Sequence, residues 1–194
     1  MGALFEFVIY SLKPILFDFL LNRVKNRCEV EVLEIEISQD WDSINTKTTN
    51  QYNKSLFERC LIEGKRMTVR CKINNKFNSG YSFSQVSKFV FETSLWVDTE
   101  IFPSLDADFI TNLTKNVYDE LTREIIFSFK DKDLLIVAVG SEINVEFIDN
   151  IKKMIDVSYN VNRWIVPSEL DLSMDFKYVV SFIDGYKIYS NEKQ

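Results

Sequence analysis

The 194-residue sequence contains no histidine. Histidine is the side chain whose ordinary pKa lies nearest neutrality, and so the commonest general base and metal ligand. Its absence excludes Ser-His-Asp and Cys-His catalytic arrangements and any zinc site built on imidazole. Cysteine is scarce as well. Cys28, Cys60 and Cys71 form an odd count with no C-x-x-C pair, which argues against a disulfide framework and for a reducing, cytoplasmic compartment. Only 5 Gly and 3 Pro occur, so collagenous and Gly/Pro-rich disordered classes are excluded. What remains is an ordinary globular composition, 46% hydrophobic and 27% charged, with 16 Phe and a net charge of −6. That length buries one sizeable core, and the Asn/Lys/Ile/Phe-rich usage fits an AT-rich genome. No repeat, low-complexity tract or linker interrupts the chain, which reads as a single α+β domain over 1–194. Its expected architecture is a mixed, mostly antiparallel sheet with about three helices.

The first 27 residues are the most apolar, but Glu6, Lys13, Pro14 and Asp18 interrupt them. Met1-Gly2-Ala3 offers no basic start for a signal peptide, and Glu6 fails the myristoylation pattern after Gly2. The mid-run charges argue against a membrane span. Two folds stay open: one kinked helix, or a strand Leu4–Tyr10 followed by a helix from Leu12 with Ser11 as its cap. Three roles stay open too: the protein's own core, a subunit interface, or peripheral contact with a membrane surface.

From Cys28 the pattern has period two, and its phase slips between Val32 and Leu33 in the manner of a β-bulge. Residues 38–55 read as a long polar loop. Leu56–Ile62 reads as a strand joined through Glu63-Gly64 to Arg66–Ile73, and Asn74-Asn75 as a turn before a strand Phe89–Val97. Ile110, Leu113, Val117 and Leu121 predict a helix over 106–123. A hairpin Glu124–Phe129/Leu134–Val139, a helix near 142–156 and a last hairpin Lys177–Tyr189 turned by Asp184-Gly185 complete the expectation.

The least random feature is the layout of charge. Lys65, Arg66, Arg70, Lys72, Lys76 and Lys88 occur between Gly64 and Phe91 with no acid among them. Glu29, Glu31, Glu34, Glu36, Asp40 and Asp42 occur between Cys28 and Asn45 with no base. As neighbouring strands the two segments would neutralise each other, at roughly 0.2–1 kcal/mol per cross-strand pair. Left open, Arg66, Arg70, Lys72, Lys76 and Lys88 with the interleaved Phe77 and Tyr81 form a partner-binding strip. An acidic protein surface fits that strip through charge complementarity; single-stranded nucleic acid fits it through stacking and phosphate contacts, although the chain is acidic overall.

Other motifs carry less. Gly140-Ser141 has one glycine where a phosphate-cradling loop needs several, and reads as a helix cap. Asp171-x-Ser173-x-Asp175 begins like a calcium loop, but Phe176 and Phe182 occupy the positions that need Gly and Glu. The Asp40/Asp42 and Asp106/Asp108 pairs suit a loop and a helix start without metal. Asn53-Lys-Ser55 and Asn112-Leu-Thr114 are sequons without a secretory signal. The sequence thus implies no catalytic residue, metal or cofactor. It predicts a non-enzymatic protein–protein interaction module, an assembly subunit, adaptor or inhibitor, binding a protein partner or a second copy. The alternatives are a nucleic-acid accessory protein using the 65–91 strip and a carboxylate- or metal-dependent hydrolase.

Overall fold

The computed structural model describes residues 4–24, 27–38, 47–49, 51–99, 105, 109–170 and 179–192. In it the apolar N-terminal run forms a strand, β1 (Leu4–Ser11), and then a helix, α1 (Phe17–Val24). Of the two folds left open, strand-then-helix is the one adopted. The helix starts at Phe17 rather than Leu12, after a bend at Leu12 and Lys13; a proline disfavours helical backbone at the residue before it. The chain divides into two compact units. Lys13–Asp98 is the inserted unit; Met1–Leu12 and Thr99–Gln194 together make the terminal unit.

The inserted unit adds β2 (Val30–Ser38), β3 (Lys47–Thr49), α2 (Lys54–Ile62), β4 (Arg66–Ile73), β5 (Phe77–Ser87) and β6 (Val90–Asp98). Its strands lie in the order β3-β2-β4-β5-β6, each pair antiparallel. The phase slip is a bulge: the β2–β4 register shifts between Val32 and Glu34, leaving Leu33 exposed. Leu56–Ile62, read as a strand, is helical. Asn53 caps that helix by accepting the Ser55 N–H at 2.9 Å. Gly64, at φ 64°, ends it, with its N–H on the Leu61 carbonyl and the Lys65 N–H on that of Cys60, a Schellman closure. An apolar run this short fits either period, so the caps and not the pattern decide. The loop 38–55 contains the short β3, and Asn74-Asn75 turns the chain with φ of 50° and 55°. Phe17, Phe57 and Cys60 pack on Ile35, Met67, Val69, Tyr81 and Phe83, so the core lies on one face of these strands.

The terminal unit adds α3 (Lys115–Phe129), β7 (Leu134–Asn144), α4 (Ile151–Val157), β8 (Tyr159–Pro167), β9 (Val179–Ile183) and β10 (Tyr186–Ser190). The order is β1-β7-β8-β10-β9, again antiparallel. Here several expectations are corrected. The predicted helix begins nine positions late and turns a different face inward: Tyr118, Thr122, Ile125, Ile126 and Phe129 are buried, whereas Leu113 and Val117 are exposed. Glu124–Phe129 is the end of that helix and not a strand. β7 continues to Asn144, so the helix expected near 142–156 is reduced to α4, capped by Asn150. β8 was not anticipated. Six consecutive residues of it, Val161–Val166, are buried, the mark of a strand covered on both faces. Among the described residues there are ten strands and four helices. The fold is α+β in the broad sense, strand-dominated, with one helix more than expected. Apart from one isolated bridge, Ile110 to Glu192, no parallel pairing occurs within either unit among the described residues.

Candidate interaction face

The strand β4 alternates: Met67, Val69 and Cys71 enter the core, while Arg66, Thr68, Arg70 and Lys72 share the opposite face. Its neighbour β2 sets Glu31 opposite Lys72, Glu34 opposite Arg70 and Glu36 opposite Thr68. Arg70 Nη1 donates to Glu34 Oε2 at 3.2 Å, and its Nη2 lies 3.8 Å from Glu36 Oε2. The acidic and basic segments are therefore adjacent strands that neutralise each other on one face. Arg70 keeps 57% of its side-chain surface exposed, so each contact is worth only about 0–1 kcal/mol.

On the other side of β4 the face runs through the small residues of β5 to β6. Arg66 Nη2 donates to Ser82 Oγ at 3.3 Å. Burial lowers the Arg66 pKa from its ordinary value, and Glu92 and Glu36 oppose that shift. Arg70 stands opposite Gly80, and Gly80 opposite Trp96. A Cβ at Gly80 would overlap the Trp96 indole, so the indole lies over the glycine. Sequence reasoning missed Trp96, whose place on this face follows only from the β5–β6 register.

The remaining strip residues do not join this group. Lys76 sits beside the Asn74-Asn75 turn with its Nζ 5.3 Å from the Phe77 ring centroid. Lys88 sits at the β5–β6 hairpin tip, its Nζ 5.1 Å from the centroid of exposed Phe89. The eleven residues of β5 separate those ends by roughly 35 Å at about 3.3 Å per residue. Tyr81 is a core residue, 1% exposed. Its hydroxyl donates to the Ile15 carbonyl and its ring meets Phe17 and Phe57. Burial holds its pKa well above the ordinary range. The apolar N-terminal run is likewise occupied: Phe5, Val8, Ile9 and Tyr10 are buried in the terminal unit, and Ile15 and Phe17 in the inserted one.

The terminal unit holds a second charged cluster that the sequence did not reveal. Arg163, on β8, is 2% exposed. Its Nε donates to Ser190 Oγ at 2.9 Å, and its Nη1 to Thr122 Oγ1 and Asp119 Oδ1, each at 2.9 Å. Nη2 lies 3.9 Å from Glu192 Oε1, whose other oxygen pairs with Lys115. The guanidinium is 5.5 Å from the Tyr118 ring centroid, and Asn162 Nδ2 donates to the Tyr118 hydroxyl at 3.0 Å. Burial raises the Tyr118 pKa, opposed by Asn162 and Arg163. These partners tie α3 to β8 and β10 and occupy the guanidinium on several sides, which is a clamp rather than a poised acid or base.

Gly140-Ser141 lies inside β7, not at a helix start. The β7–β8 register shifts on both sides of Gly140, and a Cβ there would overlap the Asn160 carbonyl oxygen. No group of three or more Cys, Asp or Glu suited to a metal occurs among the described residues. The Asp40/Asp42, Asp106/Asp108 and Asp171/Ser173/Asp175 motifs lie outside them. Cys28, Cys60 and Cys71 are free thiols, and no described helix is long and apolar enough to cross a membrane. Comparison with known proteins returns no match, whether to family models, to curated proteins or to solved structures.

Proposed function

We propose that the chain is a non-enzymatic protein-binding module whose partner docks on the β2–β4–β5–β6 face of the inserted unit. The observation that carries this reading is the cross-strand row Arg70–Gly80–Trp96, in which the indole covers the glycine, amid charges of both signs. Trp and Arg are the residue types that most often dominate binding energy at protein interfaces. Arg66, Arg70 and Lys72 are flanked by Glu31, Glu34 and Glu36 on β2 and by Glu92 and Asp98 on β6. A phosphate backbone favours a stripe of one sign, whereas a protein surface can match a mosaic charge for charge. The mosaic therefore supports a protein partner over a nucleic acid. The absence of histidine from the whole sequence supports binding over acid–base turnover. The apolar N-terminal run is left out of this surface, since Phe5, Val8, Ile9, Tyr10, Ile15 and Phe17 are buried.

The test is affinity capture from a nuclease-treated extract of the native source, with wild type, Trp96→Ala and Arg70→Glu as baits, each checked for folding by circular dichroism. The expected result is one protein retained by wild type and weakened about tenfold or more by Trp96→Ala, the scale of an interface hot spot. Equal retention by folded variants overturns the reading. So does capture of nucleic acid alone without nuclease, with log affinity falling linearly in log salt.

A further inference from the structure

We propose that β9 is a self-pairing edge, through which two copies of the chain associate weakly as an antiparallel strand pair. This inference concerns the terminal unit and does not rest on the face proposed above. β9 ends the strand order of its unit and reads Val179-Val180-Ser181-Phe182-Ile183, with no charge and no proline. Val179, Val180 and Phe182 are 41%, 48% and 67% exposed. Proteins ordinarily protect an edge by keeping it short or by placing lysine, proline or a bulge on it. β3, which ends the order in the inserted unit, shows one of these devices, being only three residues long. β9 shows none.

The hairpin geometry says which backbone groups the edge offers. Asp184 and Gly185 turn β9 into β10 with φ of 45° and 85°, the two-residue turn that makes Ile183 and Tyr186 a hydrogen-bonded pair. By alternation Ser181 and Val179 also direct their N–H and C=O groups toward β10. Those of Val180 and Phe182 point the other way, along the edge. A second copy with its two-fold axis at Ser181 brings Phe182 of each copy opposite Val180 of the other. In that register both outward-facing residues of each strand find hydrogen-bonding partners within the strand. The same register sets Phe182 beside Val180 on one face, covering the two most exposed side chains of β9, and an uncharged strand meets itself without repulsion. Five-residue strands bury less than the roughly 1,200 Å² of a stable interface, so the dimer is weak and concentration-dependent.

Sedimentation equilibrium of the full chain from about 10 μM to about 1 mM, the range of weak association, tests this. The weight-average mass of wild type should rise above the 22.8 kDa of one copy toward twice that value. Val180→Pro removes one outward N–H without touching the β10 ladder, and Phe182→Lys restores a protective charge. Both should stay monomeric at the highest concentration while keeping the wild-type circular dichroism. In a Cys28→Ser background, Ser181→Cys should give a covalent dimer on mild oxidation, since Ser181 faces itself across the axis; Val179→Cys, which faces Ile183, should not. A wild type that remains monomeric throughout overturns the proposal. So do variants that associate as well as wild type, or cross-linking equal at 179 and 181. Loss of partner capture by the Trp96 variant leaves these outcomes unaffected, so the two proposals fail separately.

Discussion

Arg70 and Arg163 occupy matching places in the two units and do opposite work. Each lies on the third strand of a five-strand order, and each stands between two carboxylates: Glu34 and Glu36 for Arg70, Asp119 and Glu192 for Arg163. In the inserted unit the helical residues Phe17, Phe57 and Cys60 pack on the face opposite Arg70, which stays in solvent. In the terminal unit α3 lies over the face that carries Arg163, which is buried with hydrogen bonds to both Thr122 and Ser190. Charge on a strand thus becomes structure or surface according to which face a helix takes. The same two residue types yield a clamp in one unit and a solvent-exposed charge mosaic in the other.

The comparison predicts its largest effect at these two arginines. Removing one partner of a buried pair leaves the others charged and dry, at about 3–5 kcal/mol. Asp119 keeps 33% of its side-chain surface in solvent, so Arg163→Leu should lose about 3 kcal/mol, at the low end of that range. Arg70→Leu should change stability by less than about 0.5 kcal/mol. Urea unfolding followed by far-ultraviolet circular dichroism measures both. Comparable losses would mean that the two environments are not the different media they look to be.

A second contrast is steric and smaller. A methyl at Gly140 would overlap the carbonyl oxygen of Asn160 and press on Ile143. A backbone atom between paired strands cannot step aside, so Gly140→Ala should cost about 2–3 kcal/mol, as overpacking does. A methyl at Gly80 meets the Trp96 indole first, a side chain on the face away from the core. Gly80→Ala should therefore cost about 1 kcal/mol or less, while shifting the tryptophan emission and weakening partner capture. An order of stabilities opposite to this one would place the rigid contact in the wrong unit.

How far the amino-acid order disclosed all this also differs between the units. In the inserted unit the alternation of β2 and β4, the bulge after Val32 and the neutralising charges were legible, because one face is wet and period two survives. There α2 was misread, although Asn53 and Gly64 carry the cap signals that settle it, and β5 and the short β3 were not anticipated. In the terminal unit burial on both faces removes the alternation. β8 escaped notice because Asn162 and Arg163 interrupt its apolar run, and both donate to tertiary partners that no local pattern encodes. α3 was set in the wrong phase for a related reason: Thr122 faces inward, its hydroxyl held by the Tyr118 carbonyl and Arg163, while apolar Leu113 and Val117 face out. The Trp96–Gly80–Arg70 row was hidden differently. Its members are far apart in the chain, and only the antiparallel register aligns them.

The smallest effect concerns a partly buried carboxylate of the terminal unit whose nearest charged influence is another carboxylate. Glu6, on β1 opposite Gly140, has its pKa raised, first by burial and further by Glu142, with a backbone hydrogen bond at Ile143 opposing. A folded-state pKa above the unfolded one means that the native state binds more protons in the window between them. Stability then falls as pH rises through that window, starting near the ordinary value of 4.5. Above it Glu6 subtracts from stability in its charged form; below it the group is neutral in both states and subtracts nothing. Glu6→Gln should accordingly stabilise the chain at pH 7, and the advantage should vanish once wild-type Glu6 is protonated in both states. Unfolding midpoints of wild type and Glu6→Gln at pH 7 and at acid pH decide the matter. A constant difference between Glu6→Gln and wild type would show that water reaches this carboxylate, and that the terminal unit is less sealed around β1 than around Arg163.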